Sequence, residues 1–151
     1  MGRENPIHLY APEKYEAILK AHLNYFDIKL SFEIDFIPLS GNDPVKILDD
    51  KYLTVTSFPL KHRIPAYGFL FSEKISDRNI IAESIEKYHI PVVRIPAIKK
   101  GEDFISQDGN IIKNEELTLP PRQPLSYAYC SDTKYFKRLA SFVKEVTLLY
   151  H

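Results

Sequence analysis

His62 stands in Pro59-Leu-Lys-His62-Arg-Ile-Pro65, at the end of the apolar run Tyr52 to Leu60 and just before a turn into the next run at Tyr67-Gly68. A histidine held between two prolines at a strand end is a rigidly placed imidazole of the kind that ligates metal. It is also the pattern of a turn histidine facing water, and lone histidines are far more numerous than ligands. Asp132 lies in Cys130-Ser-Asp132-Thr133, between a strand-like stretch and a helical one. A carboxylate there either caps the helix or occupies the strand-end position where α/β proteins commonly place site residues. Spacing alone does not choose. Two donors fall short of the three protein ligands of a catalytic zinc site, and His8, His22, His62, His89 and His151 form no H-x-H or H-x-x-x-H pair.

No Gly-rich phosphate loop and no G-x-S-x-G elbow occurs. Lys74, Arg78, Lys87, Arg94, Lys99 and Lys100 are candidates for phosphate contacts. They are interleaved with Glu73, Asp77, Glu83, Glu86, Glu102 and Asp103, the pattern of a neutral solvated face. Twenty basic against twenty acidic residues leave the 151-residue chain at zero net charge. No global field therefore draws in a polyanion or an anionic membrane. The single cysteine, Cys130, excludes an internal disulfide and a Cys-pair zinc knuckle, which fits a reducing cytoplasm. The sequence shows neither a signal-peptide pattern nor the ~18 apolar residues of a membrane span.

The elements that must position these residues alternate in period. Ile7 to Tyr10 reads as a strand, with Pro12 in the first turn of a helix whose apolar face is Tyr15, Ile18, Leu19, His22, Leu23 and Phe26. Phe32, Ile34 and Phe36 alternate with polar residues as a half-buried strand. Val45 to Leu48, an Asp49-Asp50 turn, Tyr52 to Leu60 and then Ile64 to Phe71 continue as strands. Ser76 or Asp77 is placed to cap a second helix striped with Ile80, Ile81, Ile85 and Tyr88, which ends by Pro91 with His89 at its frayed end. Five prolines punctuate residues 91–124, with an Asp108-Gly109 hairpin signal between them. Leu125 to Cys130 is a strand. A helix from Thr133 carries Phe136, Leu139, Ala140 and Val143, and Thr147 to Tyr150 is again strand-like. A strand six residues from one end and another at the other end predict an interior piece of a larger protein; a small complete domain is the alternative.

These segments together resemble one family, the zinc-dependent nucleases of the metallo-β-lactamase fold, most closely ribonuclease Z, the tRNA 3′-end endonucleases. The resemblance rests on Ile7-His-Leu-Tyr-Ala-Pro12, on Leu53 through His62 to Gly68-Phe69, on Lys99-Lys-Gly-Glu102, Asp108-Gly109 and Pro120-Pro-Arg122, on Tyr127-Ala-Tyr-Cys-Ser-Asp132-Thr133, and on Leu148-Leu-Tyr-His151. It implies an α/β (α+β) fold, a single domain over residues 1–151 forming part of a four-layer αββα sandwich. In it His62 would ligate one Zn2+ and Asp132 would bridge two. Residues 73–102 would be a substrate-binding arm in which Arg94, Lys99 and Lys100 contact nucleic acid. The substrate would be precursor tRNA, and the enzyme a cytoplasmic homodimer without a membrane segment. The family's H-x-H-x-D-H motif and its C-terminal histidines have no counterpart in these residues, so the chain alone is expected to be inactive and to bind zinc weakly or not at all. Pro91-Val-Val-Arg94-Ile-Pro96 replaces the arm's glycine-proline cluster, and Ser131 replaces the glycine before the bridging aspartate. The alternatives are an arylsulfatase-like or phosphodiesterase-like hydrolase of the same fold, and a non-catalytic binding or assembly module.

Overall fold

Short strands and helices are mixed along the chain in the computed structural model, which describes residues 2–151. In order they are β1 (Ile7–Pro12), α1 (Tyr15–Tyr25), β2 (Ile34–Leu39), β3 (Val45–Asp49), β4 (Leu53–Pro59), β5 (Tyr67–Glu73), β6 (Asn79–Ile80), α2 (Ala82–Lys87), α3 (Ile95–Lys99), β7 (Phe104–Ile105), β8 (Ile111–Ile112), α4 (Asn114–Leu117), β9 (Thr118–Leu119), β10 (Ser126–Tyr129), α5 (Lys137–Phe142) and β11 (Leu148–Tyr150). They fall into two units, one running up to Ser72 and resuming over Leu125–His151, the other Glu73–Pro124. The fold is mixed α/β, as the sequence predicts. No helix among the described residues is long and apolar enough to cross a membrane.

The first unit is built on a five-stranded sheet ordered β11-β10-β5-β4-β3. β10 pairs antiparallel with β5 and parallel with β11, and β3 runs antiparallel to β4 with an irregularity between Lys46 and Leu48. Alternation in Leu53-Thr-Val-Thr-Ser-Phe buries Val55 while its neighbours stay half-buried. Phe58, Cys130 and Leu139 form the core, with Leu60, Leu70, Phe136, Phe142 and Val143 packed against them. Phe58 and Phe142 meet as a tilted pair 5.5 Å apart. Burying a ring as fully as Phe58, 1% exposed, is worth about 1.5–3 kcal/mol. β1 and β2 form a separate parallel pair, in register from Ile7–Ile34 to Pro12–Leu39.

The structure departs from the sequence expectations at three points in these elements. Pro12 closes β1 instead of opening α1, which starts at Tyr15; a proline's fixed φ and missing donor suit a strand end as well as a helix start. The apolar face of α1 is not buried: Tyr15, Ile18 and Phe26 are exposed, and so is His22, whose ring lies 4.8 Å from Phe26. Neither Ser76 nor Asp77 caps α2, whose N-cap is Ile81 in extended conformation. Ile80 is held instead in β6, opposite Thr118 of β9.

The second unit has its own core of Ile90, Ile98, Phe104, Ile112 and Leu117. Buried Asn114 ties it together: its amide donates to the Ile98 and Glu102 carbonyls at 2.7 and 2.8 Å, and its Oδ1 accepts from the Thr118 hydroxyl at 2.8 Å. A buried amide with these needs met costs little, whereas an unmet one would cost about 1–3 kcal/mol. The expected hairpin joins β7 to β8, with Gly109 at φ +82°. Lys113, hydrogen-bonded to Asp103, and the Asn114 N–H hold the Asp103 carboxyl below its usual range.

Gly68 in β5 is required by close approach. A β-carbon there would run into the Phe58 ring and lie 2.9 Å from the Tyr129 carbonyl oxygen. Gly68→Ala is therefore expected to lower stability by about 1–3 kcal/mol, read as an earlier urea midpoint. An unchanged midpoint would contradict this packing.

Candidate functional site

β4 ends at Pro59, and the chain loops out through residues 60–66 before β5. The Leu60 N–H donates to the Ala66 carbonyl at 2.9 Å and closes the loop at its base. β10 ends at Tyr129; the Cys130 N–H donates to the Tyr150 carbonyl at 2.9 Å, and Ser131 then turns the chain with φ +41°. Two bonds fasten the loops to each other. The Lys134 N–H donates to the Lys61 carbonyl at 2.8 Å, and the Lys61 N–H donates to the Thr133 hydroxyl at 3.0 Å. His62 and Asp132, 70 residues apart in sequence, are thereby brought together, with Nε2 lying 3.0 Å from Oδ2.

The pair is accessible: the Asp132 side chain is 87% exposed and that of His62 30%. Asp132 is not a helix cap, because α5 begins five residues later with Phe136 as its N-cap. That leaves its carboxylate directed to His62. Thr133 is a site residue that the sequence does not reveal; Ser-Asp-Thr signals a turn or cap, and nothing in it announces a partner at Lys61. The neighbouring Cys130 is fully buried, and burial pushes its thiol above the ordinary value. It therefore packs as a small apolar group and offers no thiolate at neutral pH.

An imidazole nitrogen and a carboxylate oxygen presented side by side are the donor types zinc takes. The donor types fit; the number does not complete a site. No group of three or more His, Cys, Asp or Glu side chains converges among the described residues. His8 forms a second, separate pair with Asp35 at 2.9 Å on β1 and β2.

Arg94, Lys99 and Lys100 lie in the other unit, along the turn at Val92–Arg94 and the helix α3 that follows. Arg94 is 3.7 Å from Glu102, and Lys99 is partly buried, its carbonyl accepting from the Arg78 N–H at 2.9 Å. Lys100 is exposed at the helix end.

No family model matches the chain. It is 36% identical over all 151 residues to ribonuclease Z of Bacteroides thetaiotaomicron and 37% identical to that of Parabacteroides distasonis, covering 48% and 50% of those proteins. Ribonuclease Z of Cytophaga hutchinsonii is 34% identical over 99% of the chain. A solved structure of the human short-form tRNase Z aligns with 46% of the chain at 23% identity and a TM-score of 0.39. The chain is thus homologous to ribonuclease Z along its whole length, and it spans about half the length of the curated relatives it matches.

The left-handed backbone at Ser131 explains why glycine suits this position. A β-carbon in that region costs about 1–2 kcal/mol, so Ser131→Gly is expected to stabilise the protein by up to about 1 kcal/mol, the excess over glycine's greater freedom when unfolded. Thermal unfolding monitored by circular dichroism checks it. A lower Tm in the variant would contradict the strain.

Proposed function

We propose that this chain, as a ribonuclease Z homologue, forms the His62 and Asp132 part of a zinc-dependent endoribonuclease that trims the 3′ end of precursor tRNA. The observation that carries the proposal is the 3.0 Å approach of His62 to Asp132 across 70 residues of sequence. The two donors come from loops fixed to each other by one backbone bond and one bond to the Thr133 hydroxyl, so they keep a common position without a buried charge to support.

His62 would ligate one Zn2+ through Nε2 and Asp132 would bridge two through its carboxylate. When bound, zinc lowers the pKa of a water and offsets charge on the attacked phosphate. The chain's own residues present the donors and hold the imidazole ring in place. In the second unit Arg94, Lys99 and Lys100, within the arm-like stretch 73–102, would contact tRNA phosphates and add salt-sensitive, sequence-independent affinity. The working enzyme would be a cytoplasmic homodimer. With only two donors converging, the isolated chain would hold zinc weakly and would not turn over.

A chimera tests this directly. When these 151 residues replace the matching segment of the Bacteroides thetaiotaomicron ribonuclease Z, the product is expected to cleave precursor tRNA. His62→Ala or Asp132→Ala in that chimera should reduce kcat by more than the roughly 10–100-fold typical of groups that merely support a metal ligand, with loss of bound zinc. Either variant cleaving at the parent rate with full zinc content would refute the assignment.

A further inference from the structure

Tyr135 is the most conspicuous residue near the site that the proposal above leaves idle. It lies three residues beyond Asp132 and is 79% exposed, while the next residue, Phe136, packs into the first unit's core. Extended backbone at Phe136, φ −153° and ψ 145°, accounts for the contrast, since successive side chains of an extended segment point to opposite faces. Burying Phe136 turns Tyr135 outward. Its ring makes no hydrogen bond or ring contact among the described residues and stands mostly in water.

The surroundings are basic, although the chain as a whole is neutral. The two loops, residues 60–66 and 130–136, together with Lys137 at the start of α5, carry Lys61, Arg63, Lys134 and Lys137 against a single carboxylate, Asp132. All four cations are exposed, and none of them is ion-paired among the described residues. The Lys134 to Lys61 backbone bond, 2.8 Å long, keeps cations from both loops together beside the His62–Asp132 pair. An exposed ring set among unpaired cations is the arrangement by which proteins hold a single-stranded nucleic acid, the ring stacking on a base and the cations tracking phosphates. An acidic protein surface would use the cations but leave the tyrosine without a role.

We propose that Tyr135 and the cations Lys61, Arg63 and Lys134 form a platform that grips single-stranded RNA beside His62 and Asp132. It rests on the RNA-processing function proposed above and adds to it the residues that position the strand at the site. Tyr135 stacks on one unpaired base, and the three cations bind phosphates on either side of it. None of these four residues takes part in bond breaking; they are positioning residues.

The test is fluorescence anisotropy of a labelled single-stranded oligoribonucleotide titrated with the full 151-residue chain at several salt concentrations. Tyr135→Ala is expected to weaken binding about tenfold without changing the salt slope, and Tyr135→Phe to restore it. The combined Lys61→Ala, Arg63→Ala and Lys134→Ala variant is expected to flatten the slope of log K against log salt by about 2, because each cation that neutralises a single-strand phosphate accounts for about 0.7 of that slope. These two signatures separate stacking from charge, which a general loss of folding would not. Equal binding by the parent and Tyr135→Ala overturns the platform while leaving the RNA-processing proposal standing. An oligoribonucleotide that the parent does not bind at low salt also overturns the platform, and precursor tRNA cleavage by the chimera then decides the wider proposal separately.

Discussion

The hydrogen bond from the Lys134 N–H to the Lys61 carbonyl, 2.8 Å long, is the constraint on which the site depends. β4 and β10 are separated in the sheet by β5, and their side chains alone would not set the spacing of the loops that leave them. This bond, between main-chain groups, and its companion, from the Lys61 N–H to the Thr133 side-chain hydroxyl, fix the loops to each other. His62 directly follows Lys61, and Asp132 directly precedes Thr133. A backbone bond of this kind contributes only about 1 kcal/mol in net stability. Its larger effect is to remove freedom from two exposed side chains that must act at one point.

The packing beneath the loops serves the same end. Phe58, one residue before Pro59, sits over Gly68 and against Phe142, so the end of β4 is anchored in the core. Cys130, fully buried two residues before Asp132, anchors the end of β10. Between these anchors and the site lie only Pro59, Leu60 and Lys61 on one side and Ser131 on the other. Ser131 accepts a left-handed backbone, and that local strain is a cost of turning the chain sharply enough to present Asp132. Strain at such turns is commonly found where function fixes the geometry.

Much of this is legible in the sequence, and the failures share a cause. Period-two alternation locates β2 and β4, and Asp108-Gly109 locates the β7–β8 hairpin, because those signals are local. His62 and Asp132 stand out in the sequence as residues at strand ends, but their adjacency in space follows only from the strand order, which no local pattern encodes. The displaced start of α2 has the same origin: Ile80 is claimed by Thr118, 38 residues further on. The helical stripe of α1 is correct as a period and wrong as a statement of burial, since Tyr15, Ile18 and His22 remain in water. Periodicity shows which residues share a face; it does not show that the chain covers that face.

The central claim is that His62 and Asp132 act as one metal-facing unit. Zinc titration of the isotopically labelled chain, followed by NMR at the His62 ring nitrogens and the Asp132 carboxyl carbon, tests it most directly. Both resonances are predicted to move along a single weak binding curve, and His62→Ala is predicted to abolish the change at Asp132. Zinc-dependent shifts at His62 that leave Asp132 untouched, or shifts confined to the other histidines, would contradict the account.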